Sequence, residues 1–599
     1  MKSFFQMTLA SILGVVIAGV LLFLFSLFII IGIAASSTPD YRLVDNTVMK
    51  IELSGSIGER SVDNPFASLF GQDSQSTGLK DILSAIKKAK EDDKIKGIYI
   101  KAGGVSAGFA TLGTIRDALI DFKDSGKFIV SYGDYYGQGD YYVCSVADQV
   151  TMNPQGLVEF LGLASQLQFY KGMLEKAGIE MKVFKVGTYK AAVEPYLSDK
   201  MSDANREQIN SYMGDIWGHM LAGISKSRNI SVEDLNKYAN EGFIFSKAEV
   251  PVKYGFIDEL VYADQVEKKL KELVGIEEDD NLSLASVKNV NSVPSVGKKN
   301  AADKIAVLYA EGEIVGDEYE NNPFLSPGNV ITAKVFVEEL NKLKKDDKVK
   351  AVVFRVNSRG GSAFASEQIW HAVKELKEVK PIVVSMGDYA ASGGYYISCA
   401  ASKIVAEPST LTGSIGIFGT FPSAEQLSKR MGATFDVAKT NEFADFGGRA
   451  LSLPLIGLAI LPARQLNAAE QALIQSYVEI GYDTFLDRCA DGRSKTKEEI
   501  DAIGQGRVWT GNQALGLGLV DKVGSLNDAI QLAAEAAGIE DYRLSNYPAQ
   551  KGAFEQVMES LGGVKAYSVK QFIGLDEYNN RILMKNLKNH DVRQAIMLD

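Results

Sequence analysis

A serine at a sharp turn of small residues is the clearest chemical signal in this 599-residue chain. Ser392 lies in the segment Gly387–Tyr396, which reads Gly-Asp-Tyr-Ala-Ala-Ser-Gly-Gly-Tyr-Tyr. An apolar run of strand type precedes the turn and a helix-like run follows it, so the hydroxyl would lie exposed at a helix start. Backbone N–H groups and the helix dipole at such a position favour a developing oxyanion. The same residues are also typical of a serine that caps a helix.

Paired glycines upstream complete a candidate site for acyl transfer. The strand-like run Ala351–Val356 is followed by Gly360 and Gly361, and glycines let a backbone N–H approach a substrate carbonyl closely. The N–H groups of Gly361 and Gly393 are therefore the candidate oxyanion hole, and Gly360 supports the turn. Such a hole stabilises the negative oxygen of a tetrahedral intermediate.

A serine hydroxyl needs a general base, and this chain offers no histidine close by. His371 and His590 are consecutive histidines, so none closely follows Ser392. A lysine can take this role if burial lowers its pKa enough to keep the amine neutral. Lys190 is followed by Ala-Ala-Val, an apolar setting that suits a buried amine. An ordinary surface lysine is the alternative that the residues leave open.

The serine and the lysine belong to different copies of one internal repeat. The segment Gly133–Tyr142 aligns without a gap with the segment around the serine, at a spacing of 254 residues (392 minus 138). The first copy has Gln138 where the second has Ser392, and the second copy has Asn441 near the position of Lys190. We therefore expect one active site that takes its base from the first copy and its nucleophile from the second.

Both copies alternate short β-branched runs with amphipathic helical stretches, which indicates βα units and a largely parallel sheet. The predicted fold is α/β, with two tandem βα domains behind a transmembrane helix. A polar, poorly periodic stretch between the copies is typical of a linker. The predicted units are an N-terminal stub and anchor (1–38), a first repeat (45–276), a linker (277–302), a second repeat (303–545) and a helical tail (546–599).

An apolar segment near the N-terminus predicts a membrane anchor. Residues 7–35 carry no charge and exceed both the ~20 residues that span a bilayer and the ~7–15 apolar residues of a cleaved signal peptide. Lys2 precedes the segment and Asp40 follows it, so the positive-inside rule puts the N-terminus in the cytoplasm and the rest outside. A second apolar stretch, 451–461, is too short to span and contains Pro454. It is either a buried segment or an apolar rim for substrate or bilayer.

Charge and cysteine usage argue against several classes of function. A formal net charge of −11 is unsuited to a nucleic-acid surface, which would need clustered Lys and Arg. Three cysteines without metal-type spacing and only three histidines predict neither a disulfide framework nor a zinc site. Cys144 and Cys399, which are neighbours in the repeat alignment, are predicted to be small core residues.

Several motifs together resemble the long, duplicated form of the signal peptide peptidase A family, also called protease IV. The motifs that carry the resemblance are Val186–Lys190 with Glu194-Pro195, Ala391–Tyr396, Thr412–Gly416, Gly506–Gly511 and Gly518–Asp521. The resemblance implies a Clp-protease/crotonase-like fold and a Ser–Lys dyad. In that dyad Ser392 is the nucleophile, Lys190 the general base, and Ser414 a hydrogen-bond partner that orients the lysine. No metal or cofactor is implied.

The same resemblance implies a membrane-anchored serine endopeptidase that degrades remnant signal peptides and other short hydrophobic peptides. The catalytic part would lie on the outer side of a bacterial cytoplasmic (inner) membrane, in a homo-oligomer whose expected form is a tetramer. Two alternatives stay open. A crotonase-type acyl-CoA enzyme would explain the paired glycines but not Lys190 or the anchor. A non-enzymatic scaffold for membrane partners would need neither Ser392 nor Lys190.

Overall fold

The computed structural model describes residues 41–61, 77–293, 301–317, 330–448, 450–453, 458–462 and 464–550, together with residues 7, 8, 10–19, 21–23 and 25. Those N-terminal residues are helical and exposed, and the rest of the predicted anchor, 7–35, lies outside the described residues. Within the described ranges, no helix is both long enough and apolar enough to cross a membrane. The predicted helical tail lies outside the description from residue 551 onward.

The first copy forms a six-stranded sheet in which all neighbouring strands are parallel. Its strands, in spatial order, are β6 (Glu259–Leu260), β4 (Gln149–Val158), β3 (Phe128–Tyr136), β2 (Ile95–Ser106), β1 (Thr47–Ser56) and β7 (Leu284–Ser286). Strand β7 and the helix Val287–Ser292 lie inside the predicted linker, 277–302, so ordered structure extends into it. The polar composition of the linker did not predict β7, because this strand is held by backbone hydrogen bonds to β1.

The second copy forms a larger, eight-stranded sheet. Its main path is β18 (Val508–Thr510), β14 (Leu411–Gly413), β12 (Ile382–Ala391), β11 (Val349–Ser358), β8 (Lys304–Glu311) and β20 (Arg543–Tyr547), and β13 (Lys403–Ala406) with β19 (Lys522–Val523) extends it beside β12. β14 and β18 pair antiparallel, whereas the other neighbours are parallel. Parallel strands are buried on both faces, which explains why continuous apolar runs such as Ala351–Phe354 predicted them.

Helices connect the parallel strands, as such connections require. In the first copy they are Leu79–Glu91, Phe109–Lys123, Gln138–Cys144, Lys171–Ala177, Glu194–Leu197, Asp203–Arg228, Val232–Glu241, Glu249–Lys253, Ala263–Val274 and Val287–Ser292, with a 3₁₀ turn at Phe243–Phe245. In the second copy they are Ala333–Lys345, Ala363–Lys377, Gly393–Ser398, Glu425–Arg430, Ala468–Arg493, Lys497–Ile503, Gly511–Gly516 and Leu526–Ala537. The α/β architecture predicted from the sequence is confirmed.

Corresponding elements of the two copies keep the spacing found in the sequence. Strands β2 and β11 begin at residues 95 and 349, which is 254 apart (349 minus 95). Strands β3 and β12 begin at 128 and 382, again 254 apart (382 minus 128). Cys144 and Cys399, which the alignment placed side by side, are both fully buried, so their predicted role as core residues is confirmed.

A small antiparallel sheet joins the two copies. Strand β5 (Glu180–Lys185) of the first copy pairs with β15 (Phe418–Ser423) of the second. This pairing brings the chain that follows β5 against the second copy. The remaining small sheets pair β9 (Glu313–Val315) with β10 (Val330–Thr332), and β16 (Ala450–Leu453) with β17 (Leu458–Pro462). The last of these contains the described ends of the apolar stretch 451–461, while residues 454–457 lie outside the description.

A buried ion pair also links the copies. The Glu59 carboxylate accepts hydrogen bonds from Arg355 Nε at 2.9 Å and from Asn357 Nδ2 at 3.1 Å, and both charged side chains are almost fully buried. Glu59→Ala would leave the guanidinium buried without its counter-ion, so we expect the free energy of unfolding in urea to fall by about 3–5 kcal/mol. The exposed pair Lys374–Asp491 is the control, because Asp491→Ala should cost less than about 1 kcal/mol. Equal losses would contradict this expectation.

Candidate active site

Ser392 lies at the turn between strand β12 and the short helix Gly393–Ser398. Its φ of 56° and ψ of −120° are unusual for a residue with a side chain, so surrounding contacts must hold a strained turn. Its N–H donates to Gly413 O at 2.9 Å, between β12 and β14. Its hydroxyl makes no capping hydrogen bond to the helix, which removes the helix-cap alternative.

Lys190 follows β5 in a loop that lies against the second copy. Its amine nitrogen Nζ is 3.0 Å from Ser392 Oγ, 2.9 Å from Ser414 O and 3.1 Å from Ser414 Oγ. The side chain is 3% exposed, so Lys190 is not a surface lysine. The structure therefore brings all three predicted residues together within a single chain. The sequence had left open whether one chain or two neighbouring chains would supply them.

Burial lowers the pKa of Lys190 from 10.5 to about 7, because the charged form loses its hydration. A neutral amine has two N–H donors and one lone pair. The Ser414 carbonyl can only accept, so it takes one N–H, and the Ser414 hydroxyl can take the other. This leaves the lone pair facing the Ser392 hydroxyl, which is the orientation that proton removal needs.

The candidate oxyanion hole lies beside this pair. Gly360 O accepts from Ile314 N at 3.0 Å and Ser362 N donates to Ile314 O at 2.7 Å, so the peptide groups flanking Gly361 face Ile314. Because successive residues of an extended segment point their N–H groups to opposite sides, the Gly361 N–H faces away from Ile314. A Cβ placed on Gly393 would lie 3.2 Å from Gly361 N. Neither Gly361 N–H nor Gly393 N–H donates to an acceptor in the part of the chain that the structure describes.

Glycines also let the loop that carries Lys190, called the lysine loop below, pack directly on the second copy. A Cβ on Gly506 would lie 2.6 Å from Lys190 Cβ, and a Cβ on Gly187 would lie 2.5 Å from the carbonyl carbon of Gln505. A Cβ on Gly416 would lie 3.2 Å from Lys190 Cδ. No local pattern marks these glycines individually, although each lies within a motif that carries the family resemblance. That clustering was the signal that could have identified them.

The equivalent place in the first copy has a different structure. Gln138, at the position of Ser392, accepts hydrogen bonds at Oε1 from two backbone N–H groups of a following loop, both at 3.0 Å. The first copy also has Ala107 at the position of Gly361, again 254 residues away (361 minus 107). The first copy therefore lacks both the hydroxyl and the glycine that the second copy presents.

A match to a protein-family model shows to which family this chain belongs. The model of peptidase family S49 matches residues 121–277 and 374–540, which is more than half of the chain and falls once in each copy. The chain belongs to peptidase family S49. It is a serine protease with a duplicated S49 domain, as the resemblance predicted. A Clp protease model matches residues 324–410 of this S49 chain, in the copy that contains Ser392.

Relatives of this S49 chain include Protease 4 of Salmonella typhi, 37% identical over 83% of this chain and 78% of the relative. Protease 4 of Haemophilus influenzae is 34% identical over 80% of each chain. The chloroplastic serine protease SPPA of Arabidopsis thaliana is 31% identical over 84% of this chain and 71% of its own.

Two solved structures are also similar to the S49 chain in part. A ClpP1 mutant from Listeria monocytogenes covers 37% of this chain and 94% of its own, at 15% identity and a TM-score of 0.23. A mutant of a membrane-bound stomatin-specific protease covers 42% of this chain and 100% of its own, at 14% identity and a TM-score of 0.25.

Proposed function

We propose that this S49 protease cleaves peptides with a Ser–Lys dyad formed by Ser392 and Lys190. The observation that carries the proposal is the 3.0 Å contact between Lys190 Nζ and Ser392 Oγ, made by an almost fully buried lysine. A serine becomes a useful nucleophile when a neutral base lies within hydrogen-bond reach. Each copy of the duplicated fold contributes one member of the dyad.

The reaction is acyl transfer. Neutral Lys190 takes the proton of Ser392 as the oxygen attacks a peptide carbonyl, and the resulting ammonium is held by the carbonyl and hydroxyl oxygens of Ser414. The ammonium then protonates the leaving amine as the C–N bond breaks, which leaves an ester on Ser392. A water molecule, deprotonated by the same lysine, hydrolyses that ester and restores the dyad. No metal or cofactor takes part.

The N–H groups of Gly361 and Gly393 stabilise the oxyanion in both steps. Their proximity and their lack of an acceptor within the described ranges support this role. Gly360 supports it by close packing, since a Cβ there would lie 2.6 Å from Gly393 N. Donors already in place when charge develops need no reorganisation, which is why such holes contribute strongly to catalysis.

Activity should fall as the pH drops through about 7. Burial lowers the pKa of Lys190 to about 7, so the amine is neutral above that value and protonated, hence inactive as a base, below it. We expect kcat/KM to be nearly constant at alkaline pH and to fall tenfold for each pH unit below the midpoint, since one proton is involved. The measurement is a kcat/KM profile between pH 5 and 9. A flat profile down to mild acid would count against a lysine base.

Short hydrophobic peptides, remnant signal peptides among them, are the proposed substrates. Phe418 lies 6.0 Å from Lys190 Nζ, measured to its ring centre, and is 40% exposed. Phe364, three residues after Gly361, is 74% exposed. The Phe418 ring provides apolar surface next to the dyad, and Phe364 adds exposed apolar surface close to Gly361 in the sequence. An extended peptide would pair with the site-facing edge of Gly361, because Ile314 occupies the other edge.

The protease is proposed to act at the outer face of a bacterial cytoplasmic (inner) membrane, anchored through residues 7–35 with its N-terminus inside. The uncharged sequence of that segment supports the anchor, and the two Protease 4 relatives come from bacteria. A homo-oligomer, with a tetramer as the expected form, is proposed on the family resemblance. Light scattering of the detergent-solubilised full chain tests the assembly, and a stable monomer would contradict the proposed homo-oligomer.

Hydrolysis of a leucine-rich signal-peptide mimic by the detergent-solubilised full chain tests the proposed function. Wild type should cleave the peptide, and Ser392→Ala, with unchanged assembly and melting temperature, should not. Cleavage that survives in Ser392→Ala would place the nucleophile elsewhere. A wild type that is inert but binds coenzyme A would favour the acyl-CoA alternative, and one that does neither would favour the scaffold.

A further inference from the structure

We infer that Gln208 is a positioning residue for the base, because it ties the loop that carries Lys190 to the strand behind the nucleophile. The inference rests on the proposed Ser–Lys function. Gln208 lies on the helix Asp203–Arg228 of the first copy, and its side chain is 4% exposed. It would act through backbone contacts rather than by touching substrate.

A single side-chain amide spans the two copies. Gln208 Nε2 donates to Tyr189 O at 3.0 Å, and Tyr189 immediately precedes Lys190. Gln208 Oε1 accepts from Val508 N at 3.1 Å, in strand β18 of the second copy. The other N–H of the amide donates to Asn205 Oδ1 at 3.1 Å. These partners fix the amide orientation, because turning it over would oppose two acceptors at Tyr189 and two donors at Val508.

The strand on the far side of this bridge supports the nucleophile. Val508 pairs with Gly413 between β18 and β14, and Gly413 O accepts the Ser392 N–H at 2.9 Å. The neighbouring carbonyl, Arg507 O, accepts from Ser414 N at 2.7 Å. Because Ser414 in turn contacts the lysine amine, β18 and the residue before it support both Ser392 and Lys190.

Hydrogen bonds hold the lysine loop on both sides of Lys190. Before it, Tyr189 is held by Gln208 and also donates its N–H to Gln505 O at 2.8 Å. After it, the buried carboxylate of Glu194 accepts from Asn205 Nδ2 at 2.8 Å. Asn205 is the residue that also receives the second N–H of Gln208, so one network fixes the loop.

Charged neighbours contact the same loop without touching the lysine amine itself. Lys185 Nζ donates to the carbonyl of Lys190 at 3.3 Å, and Arg507 pairs with Glu207 at 2.9 Å while donating to the Tyr189 hydroxyl at 3.0 Å. Within the described ranges none of these groups contacts the Lys190 amine, whose pKa is lowered by burial alone. Loosening the loop would admit water to the amine and let its pKa rise.

Gln208→Met tests the inference, because methionine keeps the length of the side chain and removes all three hydrogen bonds. We expect kcat on the hydrophobic peptide to fall about 100-fold while KM changes less than about threefold, since the base is misplaced but no substrate contact is lost. The acid limb of the pH profile should move to higher pH. A residue with only a structural role would leave the acid limb at its wild-type pH. Gln208→Glu keeps the acceptor for Val508 N–H but loses the donors, so it should also lower kcat and move the acid limb to higher pH. This variant replaces Gln208→Met if the methionine variant does not fold.

Gln513→Met is the matched control. Gln513 also bridges the copies, accepting from Thr510 N and donating to Ser211 Oγ, both at 3.1 Å, but its hydrogen bonds do not reach the lysine loop. It should keep the wild-type kcat and acid limb. The inference is overturned if folded Gln208 variants behave like wild type, or if Gln513→Met reproduces their losses. Either result alongside an active wild type and an inert Ser392→Ala leaves the proposed function standing, whereas an inert wild type removes the proposed function itself.

Discussion

Replacing Lys190 with methionine is expected to lower kcat on a hydrophobic peptide by about 10⁴-fold, near the residual rate of the variant that lacks the nucleophile. Methionine fills most of the buried space and removes the amine that faces Ser392 Oγ at 3.0 Å. No other titratable group contacts this hydroxyl among the described residues, so nothing else there can take its proton. The measurement is steady-state hydrolysis at pH 8, where the wild-type lysine is neutral.

Lys182→Met is the control for this loss. Lys182 lies on β5 of the same copy, and its ammonium pairs with Glu180 at 3.0 Å on a partly exposed surface, an interaction of little energetic value. This variant should keep activity within about twofold of wild type. If Lys190→Met retains substantial activity while still folded, the base lies elsewhere and the explanation of the duplication is wrong.

Gly361→Ala should lower kcat by about 10²–10³-fold and leave KM nearly unchanged. A Cβ on Gly361 would lie 1.9 Å from Ile314 O, so the segment must move and carry its N–H away from the oxyanion position. The residue also has a φ of 150°, a backbone conformation that side chains rarely adopt. In the proposed role this N–H stabilises charge that develops only in the transition state, so its displacement should affect the chemical step rather than binding.

Gly432→Ala separates this effect from general backbone strain. Gly432 also has a positive φ, 76°, but nothing lies within 4 Å of a Cβ placed there. Its alanine variant should lose some stability through the backbone conformation and retain the wild-type kcat. A Gly361→Ala variant that folds and turns over at the wild-type rate would remove Gly361 from the oxyanion hole.

The residues of the proposed dyad could be singled out from the sequence because their signal is carried by residue identity. Ser392 stands out since the first copy has Gln138 at the same position, and the family resemblance then singled out Lys190 and Ser414. In the structure, the Lys190 amine lies within 3.1 Å of both Ser392 and Ser414. The parallel strands were predictable for a related reason, since strands buried on both faces must be apolar throughout.

Other features of the fold and the site could not be predicted from residue identity. Strand β7, Leu-Ala-Ser, is only three residues long within a polar segment, and backbone pairing with β1 holds it. The pairing of β5 with β15 joins segments that are distant in the sequence, and no local pattern indicates which edges will meet. Gln208 lies on a long helix, where its buried position depends on the contact between copies rather than on any motif.

A double-substitution cycle tests the central claim most directly. The rates of Ser392→Ala, Lys190→Met and the double variant would be compared with wild type on one peptide at pH 8. If the two residues act as one unit, all three variants should have the same residual kcat, because removing the second partner costs nothing once the first is gone. Losses that multiply in the double variant would show that Ser392 and Lys190 act independently, and would contradict a shared active site.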